Sequence, residues 1–189
     1  MAPAHNSEAD LARALLAGEP EAFDRFVETF QSKVFQYSFL MCGQREDAEE
    51  VAQETLMKVF ESLDQLREPE HVKPWVFRIA KNACLMKRRK SIFAPAHELS
   101  LDQPFEVRDG QILPDRQLLD HEAAGIVRLA VTELPETLRS VVLLRDLEEL
   151  STEDTAEILG VSNDVVKTRL HRARLALRQK LHPVLRHAP

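Results

Sequence analysis

The sequence predicts an all-α protein, with two small helical domains joined by a long irregular linker. Three observations carry that reading. Glycine is scarce at five of 189 residues and aromatics are 6%, and no β-branched alternation runs long enough to suggest a sheet. Apolar residues instead recur at intervals of three and four. From residue 92 to about 115 that period fails, interrupted by Pro95, Pro104, Gly110 and Pro114. A stretch of that length is longer than the connections inside compact domains usually are. The expected divisions are an N-terminal helical extension over 1–19, a helical block over 20–91, an acidic linker over 92–115 and a second helical block over 116–189. Hydrophobic residues make up 44%, enough to bury one core or two small ones.

Taken in order, a short first helix fits Ser7 to Ala17, with Ser7 as N-cap, Asp10 three residues on and Gly18 as terminator. Pro20 suits the first turn of a second helix running to about Cys42. Its Phe23, Phe26, Val27, Phe30, Val34, Tyr37 and Leu40 form a wide apolar stripe, and Gly43 closes it. A third helix, about Arg45 to Leu66, buries Ala48, Val51, Thr55, Leu56, Val59, Phe60 and Leu63. After a turn at Arg67–His71, Pro74 opens a helix to about Ser91 with Val72, Trp75, Val76, Ile79, Ala83 and Met86 on its apolar side. Beyond the linker, helices are expected near Arg116–Thr132, from Pro135 to about Asp146, from Ser151 to Leu159 and from Ser162 to about Leu185.

A formal charge of −6 argues on average against a nucleic-acid binder. The average hides strong segregation. Residues 1–66 carry −8 and residues 67–91 carry +6, then 92–122 and 123–163 carry −5 each, and 164–189 carry +6. Two short basic blocks therefore sit in an acidic chain. No Gly-rich phosphate loop is present, and no apolar run approaches the ~18 residues of a membrane span. Glu8 and Asp10 ahead of Leu11 lack the order of a signal peptide, so the chain reads as cytoplasmic with no direct membrane insertion. Cys42 and Cys84 lack metal-ligand spacing and read as small core residues in a reducing compartment rather than as reactive thiols.

The C-terminal basic block carries the most informative pattern. Ser151 is a good N-cap with Asp154 at the capping-box distance, and Ala156, Ile158 and Leu159 supply a buried side. Gly160 provides a left-handed turn, Val161 plugs the corner and Ser162 caps the next helix. This is a helix-turn-helix. In its second helix Val166, Leu170, Ala173, Leu177 and Leu181 form a core face. Lys167, His171, Arg174 and Arg178 step by the same intervals on another face, beside Arg169 and Arg172. Such a helix can enter a major groove with its cations on phosphates. The alternative is a solvated basic face that complements a helix C-terminus.

In the first block, Glu46, Glu49, Glu50, Gln53 and Glu54 make an acidic helix face. A di-metal carboxylate centre would need a Glu-x-x-His partner and inward-facing acids, which these helices lack; no metal, cofactor or catalytic residue is therefore expected. A docking surface for a basic protein competes with a plain solvated face. The helix from Pro74 is basic instead, with Arg78, Lys81, Asn82, Lys87, Arg88, Arg89 and Lys90 near Trp75 and Phe77. That mixture suits a single-stranded nucleic-acid groove, although Trp75 by itself reads more readily as core.

Four motifs in order then carry a resemblance: D-A-E-E-V-A-Q-E-T-L (Asp47–Leu56), W-V-F-R-I-A-K-N-A-C with K-R-R (Trp75–Cys84, Lys87–Arg89), L-P-E-T-L-R-S-V-V-L-L-R (Leu134–Arg145), and the helix-turn-helix with V-K-T-R-L-H-R-A-R (Val166–Arg174). Across roughly 20–91 and 120–182 the chain resembles a bacterial RNA polymerase sigma factor of the extracytoplasmic-function (ECF) group. The resemblance implies a transcription initiation subunit that is not an enzyme. The first block would be sigma region 2, a helical bundle that binds the clamp helices of the polymerase largest subunit through Asp47, Glu50, Gln53 and Glu54. Its loop at about Arg67–Lys73 and its basic helix would melt and hold the minus-ten element, the helix through Arg78, Lys81, Asn82, Arg88 and Arg89. The second block would be region 4, reading the minus-thirty-five element of promoter DNA through Ser162, Lys167, Arg169, His171, Arg172 and Arg174 while its flank meets the polymerase flap. The linker would thread toward the active-site and RNA-exit channel. An anti-sigma factor is the implied regulatory partner.

The chain departs from the family pattern at two places. Met86 stands where Asp is common, and Asn163–Asp164–Val165 stand where a small residue and Thr are common. Asp164 would repel phosphates unless it caps the helix or accepts from a cytosine amine. A conventional helix-turn-helix regulator with an N-terminal sensing or dimerisation domain is the rival reading, and a helical metalloenzyme a third.

Overall fold

The computed structural model describes residues 8–92 and 124–185, with side chains described for 8–89 and 124–182. Its first half grows from a helical hairpin. In α2 (Ala22–Cys42), Phe26, Phe30, Val34, Tyr37 and Met41 are buried, at intervals of four and three that put them on one stripe. Gly43 ends the helix at φ +83°, its N–H donating to the Phe39 carbonyl at 2.8 Å. An L side chain in that left-handed conformation costs roughly 1–2 kcal/mol. The chain turns back as α3 (Arg45–Glu61), which buries Ala48, Val51, Ala52, Thr55 and Val59. Phe60, near its end, packs against Phe23 with the rings tilted and centroids 4.3 Å apart and meets Phe26 edge-on at 5.7 Å, so α3 runs antiparallel to α2.

Two more helices complete this half. α4 (Val72–Ile92) adds Val72, Val76, Phe77, Ala80, Ala83 and Cys84 to the core, and Phe77 meets Tyr37 edge-on at 5.4 Å. α1 (Glu8–Leu16) lays Leu11, Ala12 and Leu15 across α2 and α4. Burying each large apolar side chain here contributes about 1.5–3 kcal/mol.

Several boundaries differ from expectation for local reasons. α3 stops at Glu61 instead of Leu66: Ser62 turns out of helical geometry at φ −118°, ψ 21°, with its N–H and its hydroxyl both donating to the Lys58 carbonyl at 3.1 and 2.5 Å, a local side-chain bond of the kind that favours helix ends. A tight turn, Leu63–Gln65, follows. α4 begins at Val72, two residues before Pro74; proline is tolerated there because the first four N–H groups have no intrahelical partner. α2 begins at Ala22, after Pro20. Phe23, expected in the core stripe, is 47% exposed, since it lies at the open end of the hairpin. The expected cap Ser7, linker residues 93–115 and residues 116–123 lie outside the described residues.

The second half begins with α5 (124–132) and α6 (Glu136–Val142). α6 continues into a widened turn, Leu143–Leu147, where the Glu148 N–H donates to the Leu143 carbonyl at 3.0 Å. The extra residue in the turn lets both Leu143 and Leu144 face the core. Glu149 takes φ +54°, and α7 (Thr152–Leu159) and α8 (Asn163–Leu185) follow. No strand occurs among the described residues. The two helical units share one continuous apolar cluster, with α4 against α7 and α2 against α6.

Candidate nucleic-acid interface

The helix-turn-helix is built by local chemistry. Ser151 accepts from the Asp154 N–H at 2.9 Å while its own hydroxyl donates to the Asp154 carboxylate at 2.6 Å. Gly160 sits at φ +65°, and the Val161 N–H donates to the Ala156 carbonyl at 3.0 Å, which satisfies a carbonyl that the helix end would otherwise leave open. Ser162 accepts from the Val165 N–H at 3.4 Å. Val166, Leu170 and Ala173 are buried by this arrangement, with Leu177 and Leu181 half-buried behind them.

Burial of that face turns the cations outward. Lys167, His171, Arg172 and Arg178 are exposed, and Arg169 is half-buried. Arg174 is exposed but held: its Nε and Nη2 donate to the two carboxylate oxygens of Asp146 at 2.9 and 2.5 Å. That two-point pair raises its pKa further above the ordinary arginine value. Ser162 is exposed and spends its hydroxyl oxygen on the cap. Asp164 is 94% exposed, 4.0 Å from Lys167.

On α4 the expected cations divide into two groups. Asn82 and Arg89 are exposed and Lys81 is half-buried. Arg78 instead donates to Glu157 of α7 at 2.6 Å, and Arg88 to Glu136 of α6 at 2.7 Å. Phe77, expected near a nucleic-acid groove, is fully buried against Tyr37, so it cannot stack on a base. Trp75 is half-buried against the core, in line with its reading as packing.

The acidic face divides in the same way. Lys87 reaches Asp47 at 3.2 Å and also pairs with Glu50, tying both to α4. Gln53 and Glu54 are exposed beside Met57, itself 56% exposed. The outward part of this surface is therefore amphipathic rather than purely acidic.

Three further groups, not singled out in the sequence, sit where the halves meet. Arg139 of α6 donates through Nη1 to the Met41 carbonyl at 2.9 Å and through Nη2 to the Leu134 carbonyl at 2.9 Å and the Thr132 carbonyl. Glu148 is 4% exposed and 3.6 Å from Lys73; burial pushes its carboxyl up to about 7, against the pull of Lys73 and Lys33. Arg128 of α5 lies 5.4 Å from the Phe39 ring. The −5 of block 123–163 beside the +6 of block 67–91 was the available sign that these acids could cover that basic helix. Among the described residues, no cluster of three or more His, Cys, Asp or Glu is disposed to hold a metal, and no helix is long and apolar enough to cross a membrane.

A four-helix unit with a basic last helix, followed by a helix-turn-helix whose second helix is also basic, defines a two-part helical protein with two separate basic faces. Residues 26–91 match the family described as Sigma-70 region 2, and residues 124–177 the family described as Sigma-70, region 4. The chain is 30% identical to the ECF RNA polymerase sigma factor SigW of Bacillus subtilis, over 87% of this chain and 91% of SigW. It is also 30% identical to the ECF RNA polymerase sigma factor SigM of Mycobacterium tuberculosis, over 93% of this chain and 85% of SigM. The chain belongs to the ECF group of the sigma-70 family. Its fold is similar to that of CnrH, solved with the cytosolic domain of CnrY (TM-score 0.65, 21% identity, 93% of this chain and 97% of CnrH). It is also similar to Bartonella quintana RpoE, solved with the anti-sigma factor NepR (TM-score 0.69, 21% identity, 86% of this chain and 98% of that chain).

Proposed function

We propose that this chain is a dissociable subunit that carries core RNA polymerase to specific promoters, with region 2 over 20–91, a linker over 92–115 and region 4 over 116–189. The outward stripe of Lys167, His171 and Arg172 on a helix whose opposite face is buried is the observation that carries this reading. It has the form of a recognition helix, with Lys167, Arg169 and Arg172 on the minus-thirty-five duplex.

Gln53 and Glu54 are the principal contacts to the clamp helices, since Asp47 and Glu50 are engaged by Lys87 and act by shaping the helix. Asn82 and Arg89 are accessible to a separated minus-ten strand as they stand. Arg78 and Arg88 become available once Glu157 and Glu136 withdraw, so polymerase docking works by drawing region 4 away from α4. Two weak DNA-binding surfaces then act together through effective concentration. Separation of the halves also explains how an acidic chain serves DNA: the free protein repels non-specific duplex, and the polymerase supplies the approach. An anti-sigma protein that stabilises an inactive form is the expected control. CnrH, solved with the cytosolic domain of CnrY, and RpoE, solved with the anti-sigma factor NepR, support it.

The test is transcription in vitro with core polymerase on the promoter of the chain's own operon. Wild-type protein is expected to yield a specific transcript, and Gln53→Lys with Glu54→Lys to lower it about tenfold or more, a binding loss of ~1.4 kcal/mol, with the thermal melt unchanged. Unchanged transcription by that variant overturns the clamp assignment. Tight, specific promoter binding by the free protein overturns the wider reading.

A further inference from the structure

The two cysteines meet at a place that neither the helix-turn-helix nor the acidic face uses. Cys42 ends α2 and Cys84 lies midway along α4, and three contacts surround the place where they meet. Tyr37 and Phe77 pack with ring centroids 5.4 Å apart. Lys87, one turn beyond Cys84, reaches Asp47 at 3.2 Å just past the α2–α3 turn. Arg139 holds the carbonyl of Met41, the residue before Cys42, at 2.9 Å. Between these contacts Cys84, two turns beyond Phe77 on the same side of α4, comes beside Cys42 at the end of α2, and each sulfur is the first influence on the other's thiol. Both are free thiols.

Their surroundings differ in a way that divides labour. Cys84 is fully buried, and the neighbouring sulfur together with burial pushes its thiol well up. Cys42 is part-exposed, and its thiol is lowered, first by the Cys84 S–H and then by the charges of Arg88 and Lys87, against burial and Asp47. A part-exposed sulfur beside a second, buried sulfur is the arrangement that reversible thiol oxidation to a disulfide uses.

We propose that Cys42 and Cys84 form an oxidisable dithiol at the joint between the two halves, with Cys42 attacking a hydroperoxide and Cys84 resolving the product. In the first step the Cys42 thiolate takes one oxygen of hydrogen peroxide. An S–O bond forms, the O–O bond breaks, and the departing hydroxide takes a proton to become water. Cys42 is oxidised by two electrons to the sulfenic acid and the peroxide is reduced. Cys84 then attacks the Cys42 sulfur, so that an S–S bond forms, the S–O bond breaks, and the hydroxyl leaves with the Cys84 proton as a second water. A dithiol reductant reverses the bond by exchange. The cross-link pins the end of α2 to α4, the two helices that receive Arg139 and Glu136 from the second half.

The experiment exposes reduced, full-length protein to hydrogen peroxide, quenches it, unfolds it, alkylates free thiols and measures intact and peptide masses. The expected product is a monomer about 2 Da lighter that takes no alkyl group, carries a Cys42–Cys84 peptide link and is restored by dithiothreitol. Under the same exposure Cys84→Ser should accumulate a Cys42 sulfenic acid trapped by dimedone, and Cys42→Ser should leave Cys84 unreacted. Wild-type protein unfolded in urea should form the link several-fold more slowly, a comparison that needs no variant to fold. Full alkylation of both thiols after peroxide, a link formed only between chains, or equal rates in folded and unfolded protein overturns the proposal.

Discussion

Arg88 of α4 donates to Glu136, at the start of α6, across 2.7 Å, and so joins a residue expected to hold promoter DNA to one that competes for the same charge. Arg78 repeats the relationship with Glu157 at 2.6 Å. The acids occupy the guanidinium groups as a phosphate would, and the basic helix is partly covered in the closed arrangement.

Reversing these acids should uncover α4. Both pairs are substantially exposed, at 38%/39% for Arg88–Glu136 and 43%/67% for Arg78–Glu157, so each is worth at most about 1 kcal/mol. Glu136→Lys with Glu157→Lys also sets like charges opposite each other. The free double variant is expected to bind single-stranded DNA several-fold more tightly than wild type at low salt, with the gain shrinking as salt rises. Anisotropy titration of a labelled oligonucleotide checks this. Affinity no higher than wild type at low salt would show that the pairs do not limit access.

Arg139 should matter more, because three backbone carbonyls, from both halves, converge on its guanidinium. Arg139→Met removes donors from Met41, Leu134 and Thr132 and should cost about 2–3 kcal/mol, the range for hydrogen bonds made by a charged group. Arg139→Lys should recover only part, since an ammonium cannot span carbonyls that a planar fork reaches together. Urea unfolding gives the magnitude. Hydrogen exchange should place the added mobility at the α2 terminus and at the start of α6.

How much of this was legible in the sequence follows from the range of each interaction. Ser151, Gly160 and Ser162 could be read directly, because caps and left-handed turns act within a few residues. The buried stripe of Val166, Leu170 and Ala173 could be read for the same reason. Arg78 and Glu157 are 79 residues apart, Arg88 and Glu136 are 48, and Arg139 and Met41 are 98. Nothing local marks such a pair. Phe77 was misplaced because helical period assigns a face but not what covers it, and α4 is covered by its own bundle on one side and by α7 on another. The candidate surfaces were therefore found as helix faces, while the state of each cation on them depended on the packing of the halves.

DNA contact on α8 should separate by residue. Lys167 and Arg172 are exposed, whereas Arg174 is already paired with Asp146. In the assembled polymerase, Lys167→Ala with Arg172→Ala should weaken promoter binding and lower the log–log salt slope by about 0.9 for each phosphate that is no longer neutralised. Arg174→Ala should change that slope by much less. Filter binding across a salt series checks the contrast, and an equal change in slope from Arg174→Ala would place Arg174 on the DNA instead.

Glu148 should make stability fall as pH rises through neutrality. Its carboxyl is 4% exposed and its folded pKa of about 7 lies above the ordinary 4.5, with burial as the main cause. Between those values the folded state holds a proton that the unfolded state has lost, so this group favours folding fully below about pH 4.5 and the benefit disappears as pH rises through about 7. The difference is of order 2–4 kcal/mol at 1.36 kcal/mol for each pKa unit. Glu148→Gln keeps the shape and removes the titration. Urea unfolding at pH 5.5 and pH 8 should show the wild type losing stability over that interval relative to Glu148→Gln. Because Lys73 of α4 faces this carboxylate at 3.6 Å, the pH-linked loss should appear in hydrogen exchange first where α4 meets the second half. Parallel pH profiles for the two proteins would show that the Glu148 proton is not coupled to folding.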